Sequence, residues 1–170
     1  QDQTRMIRRL LKVLGLDENE WVPKEIQWFI NAQKDEGRRS KQVEDDDKPG
    51  RRQLIEIYAR YEKACTEASV VDFGELLLRA LELLREREDL LSQYRNRFKH
   101  FLVDEFQDTN TIQYDWLRLL AGHAGVPFVV GDDDQSIYRW RGARVENLQR
   151  FQKDFPQTVV VRLEQNYRST

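Results

Sequence analysis

The sequence predicts an α/β protein, part of a parallel sheet with helices, preceded by an α-helical subdomain. Residues 1–97 place apolar side chains at helical spacing, whereas from about residue 98 short apolar runs alternate with helical stretches. A further observation puts a site on the sheet. The runs FLVDEFQD at 101–108, FVVGDDDQSIYRWRG at 128–142 and VVVRLEQNYRS at 159–169 each end in a polar cluster. In open α/β sheets, ligands gather at the carboxyl ends of the strands.

The first helix shows Met6, Ile7, Leu10, Leu11 and Leu14 on one face and stops at Gly15, a C-terminal cap. Pro23 suits the first position of a second helix, with Ile26, Phe29 and Ile30 as its buried stripe and Gly37 as its end. Residues 38–52 (RRSKQVEDDDKPGRR) carry almost no apolar side chains and predict an exposed, mobile loop. Leu54, Tyr58 and Tyr61 then share a helix face. The next helix starts at Asp72, which caps the backbone while Glu75 reaches back, followed by Leu76, Leu77, Ala80, Leu81 and Leu84. Beyond residue 98 the predicted order is strand 101–104, helix 111–121, strand 127–131, helix 144–154 and strand 158–163. This βαβαβ layout favours parallel strands with right-handed crossovers.

The 28 basic and 30 acidic residues give a formal net charge of -2, which argues against a globally basic nucleic-acid coat and leaves local patches to decide. Cys65 is alone, so no internal disulfide or cysteine metal cluster can form, and a small buried side chain is expected. No apolar run approaches the roughly 20 residues of a membrane helix, and the polar start QDQTRMIRR lacks a signal's apolar stretch. A cytoplasmic location is expected. The start without methionine and the stop inside a polar cluster lead to the expectation of an internal piece of a longer protein.

Asp104 and Glu105 end the first strand. One carboxylate there can hold a magnesium ion while its neighbour faces an attacking water, and the other reading is a pair of solvated acids. Gln107 and Asp108 follow at once, more polar groups than solvation requires. Gln135, after the run Asp132 to Asp134, can donate to a γ-phosphate oxygen, although Gly131 and the aspartates also make a good turn. Tyr138 and Trp140, two apart in an extended segment, set two rings on one side, either as a stacking platform for bases or as core. Arg168 can reach a γ-phosphate and Tyr167 can stack on a base, while an arginine at a strand end is also an ordinary surface residue.

VDEFQDTN, VVGDDDQSIYRWRGA and LEQNYRST resemble motifs II, III and IV of the UvrD/PcrA/Rep group of superfamily 1 DNA helicases. RMIRRLL, WFINAQKDEG and VDFGELLLRA are similar to the accessory helical subdomain, 1B, inserted in the first RecA-like motor domain of that group. The resemblance implies a 1B-like subdomain over 1–97 and part of a RecA-like, P-loop NTPase domain 1A over 98–170. It implies ATP and Mg2+ as cofactors, with Asp104 on the metal and Glu105 activating water. Gln135 and Arg168 would contact the γ-phosphate, and Tyr167 would stack on adenine. Tyr138 and Trp140 would stack on single-stranded DNA, with Arg141 linking the DNA and nucleotide sites.

The implied activity is 3'-to-5' translocation and duplex unwinding in DNA repair or replication, at the nucleoid. The implied partners are single-stranded DNA, single/double-strand junctions and DNA-repair or transcription proteins. No G-x-x-x-x-G-K-[ST] occurs in the chain, so this piece alone is not expected to hydrolyse ATP. Losing the strand that precedes that loop would expose a sheet edge, a route to self-association. Two other readings stand beside this one. The chain could belong to the motor of a helicase-nuclease, or form a non-enzymatic module whose acidic loop 44–47 and basic stretches 38–41 and 51–52 dock proteins or duplex DNA.

Overall fold

The computed structural model describes residues 2–132 and 146–162. Five helices come first: α1 (Asp2–Leu14), α2 (Pro23–Asp35), α3 (Arg51–Glu67), α4 (Phe73–Glu86) and α5 (Glu88–Arg97). Strand β1 (His100–Val103), helix α6 (Thr111–Ala121), strand β2 (Val126–Val129) and helix α7 (Glu146–Asp154) follow. β1 and β2 pair in parallel, His100 opposite Val126 and Val103 opposite Val129, with α6 as the crossover. The described fold is thus mixed α/β, mostly helical, with a two-stranded parallel sheet.

The periodic residues of α1, α2 and α3 make one core. Ile7, Leu11, Ile26, Ile30, Ile57 and Tyr58 are essentially inaccessible, with Cys65 buried beside them. Burying each such aliphatic side chain stabilises the fold by about 1.5–3 kcal/mol. Gly15 and Gly37 end α1 and α2 with φ of 66° and 72°, the left-handed cap that a Cβ disfavours. Three further clusters tie the helices to the sheet. Leu78 and Leu81 of α4 pack on Ile112 of α6, and Leu84 and Leu91 pack on Leu120. Phe106, Tyr114, Leu117 and Phe151 join α6 and α7 to the side of the sheet bearing Phe101, Val103 and Val129.

Four expectations are corrected. Residues 38–52 are not simply an exposed loop, because Ser40–Gln42 form a 3-10 turn and Ser40 and Val43 are buried. Arg39 anchors this stretch, donating to Glu75 at 2.8 Å and to both carboxylate oxygens of Glu82 at 2.8 and 2.6 Å. On α4, Leu76 and Leu77 are exposed and Leu78 is buried in their place. Leucines surround that helix, so spacing alone does not select the inward face. Asp72 caps α4 as expected, accepting from the Glu75 N–H at 2.8 Å. The Glu75 side chain instead takes an ion pair from Lys34 at 2.9 Å, and Lys34 also reaches Asp72 at 2.7 Å. The third predicted strand, 158–163, is not a strand over its described part, 158–162. Val159, Val160 and Val161 are exposed there. Three β-branched residues favour an extended chain, but a strand also requires a neighbour to bond, which this stretch lacks among the described residues.

Among the described residues, nothing covers one face of the sheet. Leu102 is 80% exposed and Phe128 62%, while parallel sheets are ordinarily covered on both faces.

Candidate functional site

The chain leaves β1 at Asp104 and turns sharply. Glu105 has φ 50° and ψ 43°, a left-handed conformation that costs a residue with a Cβ about 1–2 kcal/mol. The turn is stabilised locally, since Asp104 Oδ1 accepts the Glu105 N–H at 2.9 Å. Phe106–Asp108 then form one 3-10 turn, with the buried Phe106 ring in the core below. Asp104 and Glu105 are consequently neighbours, both exposed at the carboxyl end of β1.

Gln107, 4% exposed, organises this edge. Its Nε2 donates to Glu105 Oε2 at 2.6 Å, and its Oε1 accepts the Asp132 N–H at 3.0 Å. One carboxamide therefore fixes the Glu105 carboxylate relative to the end of β2. The Phe106 N–H donates to Val130 O at 2.9 Å and the Val130 N–H to Val103 O at 2.8 Å, so the ends of the two strands are also joined through the backbone. Gly131 is part of the fit, since a Cβ there would lie 2.8 Å from Gln107 Oε1.

The far side of the turn is pinned by asparagines. Asn110 caps α6 in a capping box with Gln113, and its Nδ2 donates to Asp35 Oδ1 at 2.9 Å. The fully buried Asn147 of α7 donates to Thr109 O at 3.0 Å. Burial, then the charge of Glu36, push the Asp35 carboxyl up to about 6, against the opposing hydrogen bond from Asn110. Asp108 Oδ1 and Asn147 Oδ1 are buried without a hydrogen-bond partner among the described residues.

For a divalent cation, the site offers the exposed Asp104 and Glu105 carboxylates at one strand end. No group of three or more metal-ligating side chains occurs among the described residues. That donor set suits magnesium, which is ordinarily held by one or two carboxylates with water and phosphate oxygens completing its shell. It does not suit a closed structural metal site.

Of the residues singled out in the sequence, the structure brings Asp104, Glu105, Gln107 and Asp132 to one edge. Gln135, Tyr138, Trp140, Arg141, Tyr167 and Arg168 lie outside the described residues. Asn110 and Asn147 were not legible as site residues. The Asn-x-x-Gln spacing of 110–113 signals a helix cap, but nothing local signals the bond to Asp35. Of the basic stretches weighed as docking elements, Arg39 is engaged as above, Arg51 lies over the Phe29 ring at 4.9 Å and the exposed Arg52 pairs with Asp45, while Arg38 and Lys41 are exposed.

The family described as the UvrD/REP helicase N-terminal domain matches residues 1–156. The chain is 54% identical over 170 residues to DNA helicase II of Escherichia coli K12, covering 100% of this chain and 24% of that protein. It is 38% identical over 169 residues to the ATP-dependent DNA helicase PcrA of Leuconostoc citreum, covering 99% of this chain and 23% of that protein. Over 114 residues it is 48% identical to the ATP-dependent DNA helicase Rep of Escherichia coli K12, covering 67% of this chain and 16% of that protein. The chain spans about a quarter of the length of the curated relatives it matches.

Proposed function

The chain belongs to the UvrD/REP helicase family, and from that premise we propose that it is a segment of an ATP-dependent 3'-to-5' DNA helicase that couples ATP hydrolysis to movement on single-stranded DNA. In this reading residues 98–170 are part of a RecA-like motor domain and 1–97 an accessory helical subdomain. The observation that carries it is the pair of exposed carboxylates at the end of β1, one of them tied through Gln107 to the end of β2.

Asp104 would hold Mg2+, which when bound with ATP supplies charge neutralisation of the phosphates. Glu105 would take the proton of the attacking water, and Gln107 would keep its carboxylate oriented toward the cleft. A carboxylate accepting one hydrogen bond through Oε2 retains Oε1 for that proton. Gln135 and Arg168 would meet the γ-phosphate and Tyr167 the adenine. Tyr138 and Trp140 would stack on bases, each worth about 1–3 kcal/mol, with Arg141 between the two sites.

The test is DNA-stimulated ATPase of the full-length protein carrying Glu105→Gln. Collapsed turnover with nucleotide binding retained is the expected result. Unchanged turnover would show that the acids at the strand end are structural.

A further inference from the structure

Glu105 and Asn110 stand at opposite ends of one short clamped segment. At its sheet end Gln107 bonds Glu105 and the Asp132 backbone. At its other end every polar group of Asn110 is used. Its N–H donates to Gln113 Oε1 at 3.0 Å, its Oδ1 accepts the Gln113 N–H at 3.0 Å, and its carbonyl accepts from Tyr114 N–H at 3.1 Å. Its remaining donor, Nδ2, goes to Asp35, 75 residues earlier in the chain.

Asp35 is the last residue of α2, and its position is not loose. The preceding Lys34 is buried and ion-paired to Asp72 and Glu75, which locks the end of α2 to the start of α4. Beside this link, Thr111 Oγ1 donates to Glu36 Oε1 at 3.3 Å. A shift of α2 and α4 would therefore pull on the segment that carries Glu105. We propose that Asn110 is a positioning residue, coupling the helical subdomain to the strand-end carboxylates through its hydrogen bond to Asp35. The inference rests on the role of Glu105 proposed above.

The substitution Asn110→Asp separates the two jobs of this side chain. Aspartate caps a helix as well as asparagine does, but it has no donor for Asp35 and sets a second carboxylate against it. In the full-length protein, DNA-stimulated kcat should fall about tenfold while KM for ATP stays within about twofold. Combining Asp35→Asn with Asn110→Asp exchanges donor and acceptor and should recover most of the loss. Unaltered kcat in Asn110→Asp, or two folded variants without recovery in the pair, would overturn the proposal. If Asn110→Asp does not fold, Asp35→Ala decides, because it leaves the cap intact and should speed amide exchange across 104–110; unchanged exchange there overturns the coupling. Wild-type protein without DNA-stimulated turnover would sink the helicase reading instead, and the exchange comparison would still judge the link.

Discussion

Gln107 holds Glu105 at 2.6 Å while its carboxamide oxygen receives the Asp132 N–H at 3.0 Å, so one buried side chain sets the carboxylate of one strand end against the backbone of the next. The bond joins a charged acceptor to a nearly inaccessible donor, and hydrogen bonds to charged groups are worth about 1.5–3 kcal/mol. Its larger consequence is orientation.

Gln107→Leu removes both bonds, and Gly131→Ala displaces the carboxamide by placing a methyl group 2.8 Å from its oxygen. Each is expected to lower DNA-stimulated turnover of the full-length protein by about 10- to 100-fold, the scale of a misplacement near 1 Å. Steady-state ATPase measures it, with nucleotide affinity as the control. Wild-type rates in both variants would remove Gln107 from the site.

Glu105→Gly and Glu105→Ala should both abolish turnover, and both lose the bond from Gln107, so the difference between them reads the backbone alone. Relief of the left-handed backbone is worth about 1–2 kcal/mol, against about 0.5–1 kcal/mol for the added freedom of glycine in the unfolded chain. Thermal unfolding should show a melting temperature for Glu105→Gly equal to or above that of Glu105→Ala, and a clearly lower one would contradict the backbone argument.

Lys34→Met should destabilise the chain by about 3 kcal/mol, because Asp72 and Glu75 would lose the cation that compensates their burial. Burial pushes the Glu75 carboxyl upward, but the hydrogen bonds from Lys34, Arg79 and Arg39 outweigh it and hold the group down at about 2. A depressed carboxyl contributes stability that is present above its unfolded value and lost as pH falls. Glu75→Gln should therefore cost most near pH 7, and the gap to wild type should close between about pH 4.5 and 2, as urea unfolding at several pH values would reveal.

Asp35 has the opposite sign. With its carboxyl raised to about 6, the folded state favours the neutral form, so stability declines as pH rises from about 4 to 6. Asp35→Asn keeps an acceptor for Asn110 and should flatten that decline, leaving the variant more stable than wild type at pH 7. Parallel stability–pH curves for the two proteins would refute the assignment.

The helices were legible from residue order because their signals are local. Ile7 and Leu11, or Ile26, Phe29 and Ile30, declare a face by spacing, and Asp72 and Pro23 mark starts through their own backbone chemistry. The parallel pairing of 101–104 with 127–131 was likewise implied by the helix between them. The acidic strand end could be read because Asp104, Glu105 and Gln107 are adjacent in the chain.

Tertiary structure decided what spacing leaves open. It chose Leu78 over Leu76 and Leu77, drew Arg39 out of a polar stretch into a carboxylate cluster, and left Val159 to Val161 unpaired among the described residues. It also set Asn110 against Asp35 and Gln107 against Asp132. An apolar period records that a face is buried, since burial depends on area and has no direction. A hydrogen bond needs a partner within about 3 Å at a suitable angle, and which distant residue meets that condition is settled only when the helices and the sheet have packed.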